Sequence, residues 1–266
     1  MTTPLSQLFE KTRSENRAAL IGYLPAGFPS QQECIDAVAA MVEGGVDAIE
    51  IGFPYSDPVM DGPTIQEAAN TSLLQGTKAA DVLEALKVAA ADDFPALVMT
   101  YWNPIERYGV ENFARSIAEA GGSGVITPDL TIEEASAWRA AVKSEDINSI
   151  FVVAPSTKDD RLASVTAECS GFIYAASLMG VTGTRTSVSS SAKDLVGRIR
   201  KVSDTPVAVG LGVSTREQAH EVAQYADGVI VGSAFIRLLQ ESQSMGEGLI
   251  RVRELAQSLA QGVLRS

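Results

Sequence analysis

Histidine is almost absent from this chain. His220 is the only one in 266 residues. It lies mid-helix by pattern, in Arg216-Glu-Gln-Ala-His220, and reads as a surface residue, so neither a histidine-rich metal site nor a Ser-His-Asp triad can be assembled. The two cysteines, Cys34 and Cys169, are far apart and form no C-x-x-C pair, the usage of a reduced cytosolic protein with buried thiols. Positive charge is also scarce: 33 acidic against 21 basic residues leave a net charge of −12, which repels nucleic acid and anionic membrane alike. No charge-free apolar run approaches the ~18 residues a membrane span needs. Glu10, Lys11, Arg13, Glu15 and Arg17 precede the first apolar run, the reverse of a signal peptide's order. The expected location is the cytoplasm.

What is present is ordinary globular composition, 45% hydrophobic and 20% charged, enough for one large α/β domain or two small ones. Eight short apolar or β-branched runs alternate with longer amphipathic or Ala-rich stretches: residues 19–24, 46–52, 96–100, 124–127, 150–153, 171–176, 206–211 and 228–231. This alternation is the pattern of βαβ units with a parallel sheet, and eight is the barrel number. Ser30-Gln-Gln-Glu33, Thr131-Ile-Glu-Glu134 and Ser214-Thr-Arg-Glu217 match the capping box and place helix starts just after strand ends. Behind the first of these, Ile35, Val38, Met41 and Val42 recur at helical spacing. An amphipathic stretch at 4–16 precedes the first strand. No linker, low-complexity tract or repeat interrupts the chain. The expectation is a (β/α)8 TIM barrel forming a single domain over 1–266, with an extra N-terminal helix within 1–17 covering the barrel bottom. An open doubly wound sheet is the alternative fold.

Barrel chemistry sits at the C-terminal strand ends. In Val46-Asp-Ala-Ile-Glu-Ile-Gly52, alternation sends Ile49 and Ile51 to the helix layer and Glu50 into the barrel. A carboxylate there is costly unless it is paired or used, and no strand carries a basic residue to pair with it. The next loop, Phe53-Pro-Tyr-Ser-Asp-Pro-Val-Met-Asp-Gly-Pro-Thr64, adds Asp57 and Asp61. Either could be a second catalytic carboxylate or a turn residue before Pro58 or Gly62. Glycine-rich turns follow the last three strands, at Gly180-Val-Thr-Gly183, Gly210-Leu-Gly212 and Gly232-Ser-Ala234. They read as a phosphate cradle of backbone N–H groups, or as tight turns only. All seven lysines lie in helical or loop segments, against a Schiff-base lyase. Carboxylate acid/base chemistry on a phosphorylated small molecule remains.

At this point a family is legible. The stretch Asp47-Ala-Ile-Glu-Ile-Gly-Phe-Pro-Tyr-Ser-Asp-Pro-Val-Met-Asp-Gly-Pro-Thr-Ile-Gln66 closely resembles the signature of tryptophan synthase α subunits. Tyr23-Leu-Pro-Ala-Gly-Phe-Pro29, Met99-Thr-Tyr-Trp-Asn-Pro104, Tyr174-Ala-Ala-Ser177 with Gly180-Val-Thr-Gly183, and Gly232-Ser233 extend the resemblance along nearly the whole chain. It implies retro-aldol cleavage of indole-3-glycerol phosphate to indole and glyceraldehyde 3-phosphate, with Glu50 and Asp61 at the positions of the two catalytic carboxylates. It further implies that Gly183, Gly212, Gly232 and Ser233 bind the phosphate, that Tyr23, Met99 and Thr127 wall the indole pocket, and that Tyr174 lies near the breaking bond. Pro54 and Asp57 would stand on a mobile loop facing a partner, and Thr182 would meet Asp61 on closure. The implied partner is a tryptophan synthase β subunit in an α2β2 tetramer. That subunit would carry pyridoxal phosphate, and this chain no cofactor.

Two departures accompany the resemblance: Asp129-Leu-Thr131, where Pro often follows Asp-Leu, and Ser177-Leu-Met-Gly180, which lacks a common basic residue. A stand-alone lyase without a β partner and a catalytically silent phosphate-binding subunit are the competing readings.

Overall fold

Each of the eight apolar runs forms a strand in the computed structural model, which describes residues 3–177 and 185–265. The strands are β1 (Ala19–Pro25), β2 (Ala48–Gly52), β3 (Ala96–Met99), β4 (Gly124–Ile126), β5 (Asn148–Ile150), β6 (Val152–Val153), β7 (Ile173–Ala176), β8 (Val207–Gly210) and β9 (Gly228–Val231). All pair in parallel in one sheet of order β5-β4-β3-β2-β1-β9-β8-β7-β6. Its two ends, β5 and β6, are halves of a single run separated only by Phe151. Ile150 accepts from the Thr127 N–H at 3.2 Å, whereas Phe151 accepts from the Tyr174 N–H at 3.3 Å. The fifth strand thus passes its hydrogen bonds from β4 to β7 within one residue and closes the ring. The result is the (β/α)8 barrel, with no free sheet edge among the described residues.

The register decides which side chains fill the interior, because paired residues of neighbouring strands share a face. Tyr23 pairs with Glu50, Glu50 with Leu97, and Gly52 with Met99. On the far side Tyr174 pairs with Ala208, and Ala176 with Gly210. Ile49 and Ile51 face the helices and are fully buried there. Helix Gln31–Glu43 presents Val38 and Met41 to this layer, with Val42 packed partly buried against it.

The N-terminal helix runs from Pro4 to Ser14, shorter than the 4–16 expected because Asn16 turns out of it at φ 51°. Thr3 caps it in a reciprocal box with Ser6, and Leu5, Leu8 and Phe9 are buried. The Phe9 ring lies 5.8 Å from that of Phe172, just before β7, and the Asn148 amide reaches Thr3 Oγ1 at 3.3 Å. The helix therefore packs against the N-terminal strand ends, opposite the expected site. Arg17 forks onto Asp47 at 2.6 and 2.9 Å, and Asp47 also accepts the Leu20 N–H at 2.9 Å. His220 is half-buried rather than a surface residue. Its Nδ1 lies 3.0 Å from the Leu264 carbonyl and 3.3 Å from that of Gly262, tying down the C-terminal segment.

Two of the three capping boxes shift. Ser30 caps its helix as expected, accepting the Glu33 N–H at 3.4 Å. Thr131 to Glu134 instead forms a turn, and the helix starts at Ser136. After β8 the cap is Thr215, which accepts from the Gln218 N–H, while the Gln218 side chain takes the Ser214 N–H at 2.8 Å. The cap is thus one residue later than expected, and the Gln218 side chain returns its bond to Ser214, the residue before the cap, instead of to the cap itself. Among the described residues no helix is long and apolar enough to cross a membrane.

Candidate active site

Strand β2 carries Glu50 into the barrel, where it is completely buried. Among the described residues neither carboxylate oxygen has a hydrogen-bond partner. Nothing offsets the cost of stripping water from the charge, so burial pushes its pKa up to about 8. At neutral pH this side chain is a carboxylic acid with a proton to give.

Asp61, at the end of the β2 loop, is half-buried and in different surroundings. The Tyr101 hydroxyl donates to its Oδ2 at 3.0 Å. Burial raises the Asp61 pKa, and the Tyr101 hydrogen bond opposes that rise. One carboxylate is dry and unpartnered while the other accepts from a phenol. Such a difference of environment lets two carboxyl groups in one site take different roles.

Tyr23 and Tyr174 enter the same space from opposite sides. Burial lifts both phenols well above their ordinary range. The charges of Asp61 and Glu50 add to the shift at Tyr23, and those of Glu50 and Asp61 at Tyr174. Both rings therefore sit within the field of both carboxylates. They fit only because their neighbours are glycines. A Cβ on Gly52 would overlap the Tyr23 hydroxyl, one on Gly232 would lie 2.9 Å from Tyr23 Cδ1, and one on Gly210 would lie 2.5 Å from the Tyr174 hydroxyl. Gly52, and Gly210 and Gly232 from the glycine-rich turns, thus make room for aromatic rings.

Met99 faces the interior beside Gly52. Thr127 does not share that face. Met99 pairs with Ile126, so Ile126 is the inward residue, and one step of alternation sends Thr127 toward the helices. There its Oγ1 is buried without a partner among the described residues.

Gly212 adopts φ 78°, a left-handed conformation that favours glycine at this turn. Ser233 opens the helix Ser233–Glu241 right after Gly232, so first-turn N–H groups lie at the C-terminal mouth of β9. Thr182 and Gly183 lie outside the described residues. On the β2 loop Pro54 is buried, Asp57 is exposed with the Ser56 hydroxyl donating to it at 2.5 Å, and Val59 is 72% exposed. A groove of about 500 Å³ opens nearby between residues 128–132 and 156–161, but it contains neither Glu50 nor Asp61. Among the described residues no group of three His, Cys, Asp or Glu side chains could hold a metal ion.

Sequence reasoning missed Tyr101 and Ile126. Tyr101 was within reach as an aromatic two residues beyond Met99, but only the folded loops show which carboxylate it meets.

The family model described as tryptophan synthase alpha chain matches residues 9–264. A tryptophan synthase alpha chain of Streptomyces avermitilis is 54% identical over 245 residues, 92% of this chain and 88% of that protein. One from Mycobacterium tuberculosis is 53% identical over 237 residues, 89% of this chain and 88% of that one. Among solved structures, Mycobacterium tuberculosis tryptophan synthase superposes with a TM-score of 0.92 at 50% identity, covering 100% of both chains. The tryptophan synthase subunit alpha of Legionella pneumophila gives 0.89 at 29% identity over 99% of each chain.

Proposed function

This chain belongs to the tryptophan synthase alpha chain family and cleaves indole-3-glycerol phosphate to indole and glyceraldehyde 3-phosphate, and we propose that Glu50 and Asp61 are the residues that do it. The observation that carries the assignment is the contrast between them: Glu50 buried, unpartnered and protonated, Asp61 held by a phenol.

The reaction needs a proton on indole C3, a stabilised positive charge on the ring nitrogen, and removal of the proton from the side-chain hydroxyl next to the ring. Glu50, neutral before substrate arrives, gives its proton to C3 and becomes a carboxylate. Asp61 accepts the indole N–H and stabilises the charge that develops there. The Glu50 carboxylate then takes the hydroxyl proton. The carbon–carbon bond breaks, its electrons return to the ring, and an aldehyde leaves. Glu50 ends protonated again, so the cycle closes with no cofactor in this chain.

Tyr23, Met99 and Ile126 supply an apolar wall suited to a flat indole, with Thr127 behind the wall, and Tyr174 stands close to the bond that breaks. Gly212, Gly232 and Ser233, with Gly183, bind the phosphate through backbone N–H groups. Within the single domain, the N-terminal helix covers the opposite end of the barrel. The loop with Pro54, Asp57 and the exposed Val59 faces a pyridoxal-phosphate-bearing β subunit in an α2β2 tetramer that works in the cytoplasm, and Thr182 closes on Asp61.

The deciding measurement is indole release from indole-3-glycerol phosphate by the purified chain, with and without a β subunit. Activity that is present alone and rises in a stable complex supports the whole reading. No indole under either condition would sink the catalytic assignment, and indole release with no complex would sink the β-subunit assignment.

A further inference from the structure

Tyr101 touches the β2 loop at three places. Its hydroxyl donates to Asp61 Oδ2 at 3.0 Å and accepts the Met60 N–H at 3.4 Å, and its ring lies 5.2 Å from that of Tyr55. Tyr101 is itself the N-terminal cap residue of helix Trp102–Tyr108, but its side chain makes no capping bond there. The cap comes from the next loop round the rim. The Asp129 carboxylate accepts the Trp102 N–H through both oxygens, at 2.9 and 3.1 Å. Three successive strand-end loops are joined in this way: that of β4 holds the backbone of the β3 loop, and the side chain one residue earlier holds the β2 loop.

We propose that Tyr101 and Asp129 are positioning residues for Asp61: Asp129 pins the backbone that carries Tyr101, and the Tyr101 hydroxyl orients the Asp61 carboxylate toward the indole nitrogen. Without the hydroxyl, Asp61 has one polar partner fewer and a freer rotamer. Without the Asp129 cap, Trp102 loses its acceptor and Tyr101 its fixed base. The inference rests on the reading of Asp61 as the acceptor of the indole N–H.

The test is steady-state indole release by the full chain across pH, for the parent chain, Asp61→Asn, Tyr101→Phe, Asp129→Ala, Asp129→Asn and the double variant Tyr101→Phe/Asp129→Ala. Tyr101→Phe keeps the ring on Tyr55, so the loop still folds. Its kcat should fall about tenfold with KM changing less, and the acidic limb of the profile should move to higher pH. Asp129→Ala should move the limb in the same direction by less. Asp129→Asn should behave as the parent chain, because its amide oxygen accepts the same N–H. The double variant should be no worse than Tyr101→Phe alone, since Asp129 acts through Tyr101. An unmoved limb in Tyr101→Phe, an Asn variant as impaired as the Ala variant, or fully additive losses would each overturn the proposal. If Asp61→Asn is inactive while Tyr101→Phe matches the parent in rate and pH profile, only the positioning role fails. Full activity in Asp61→Asn overturns the reading of Asp61 and this inference with it.

Discussion

Tyr23 and Glu50 are register partners in β1 and β2, both turned into the barrel, so a phenol and an unpartnered carboxyl group lie side by side away from water. The neighbour is polar, yet Glu50 has no hydrogen bond among the described residues. That combination suits Glu50 to the proposed role of proton donor and makes it a liability to the fold.

Glu50→Gln should separate the two roles. Indole release should fall by about 10²–10⁴-fold, because the amide cannot carry the proton. Stability should change in a pH-dependent way. With a folded-state pKa of about 8 against 4.5 for the ordinary group, the folded form binds the proton more tightly than the unfolded one. Stability is therefore complete below about pH 4.5 and declines as pH rises toward 8. A shift of this size corresponds to up to about 5 kcal/mol at high pH. Denaturant melts should show the Gln variant gaining on the parent chain between pH 5 and 9, and parallel pH curves would rule out Glu50 as the titrating group.

Asp61→Asn keeps the size of the side chain and removes the charge that would face the ring nitrogen. A loss of about 10²–10³-fold in kcat with little change in phosphate binding is expected. Glyceraldehyde 3-phosphate competition would report the phosphate site independently, and an Asn variant within a fewfold of the parent would contradict the role.

Gly210→Ala introduces a Cβ 2.5 Å from the Tyr174 hydroxyl and 3.0 Å from its ring carbons. Moving that ring should cost about 1–3 kcal/mol of stability and lower activity. Adding Tyr174→Phe removes the closest atom and should recover part of the stability. A double variant no more stable than Gly210→Ala would show that the strain lies elsewhere.

At the other end of the barrel, Arg17→Ala leaves the Asp47 carboxylate without its forked partner, both side chains being only 14% exposed. About 2–3 kcal/mol should be lost in chemical denaturation. The kcat for indole release should remain that of the parent, because these residues lie at the N-terminal strand ends. A lower kcat at full folding would connect the two ends of the barrel.

Much of this was legible beforehand for a definite reason. Glu50 could be placed inside the barrel because Ile49 and Ile51 flank it and a strand has a period of two. Thr127 was placed in the pocket by the family resemblance and not by alternation, and an isolated run of four residues does not say which of its ends shares a face with Met99. That parity is settled by the β3–β4 register. The helix expected at Thr131 starts at Ser136 because a local motif competes with the loop's contacts. Glu133, inside the expected box, pairs with Arg161 of the helix Asp159–Glu168, and Asp129 with the Trp102 N–H.

The parallel α/β pattern, the inward carboxylate and the family resemblance could be read from the chain alone, because they follow from short-range periodicity and from a contiguous signature of residues 47–66. Only the tertiary structure decided that Glu50 is unpartnered while Asp61 is held by Tyr101, 40 positions away in the chain. It alone showed that Gly52, Gly210 and Gly232 make room for Tyr23 and Tyr174. A side chain's pKa and its available space depend on what other strands and loops place against it, and ring closure at Phe151 brings those elements together.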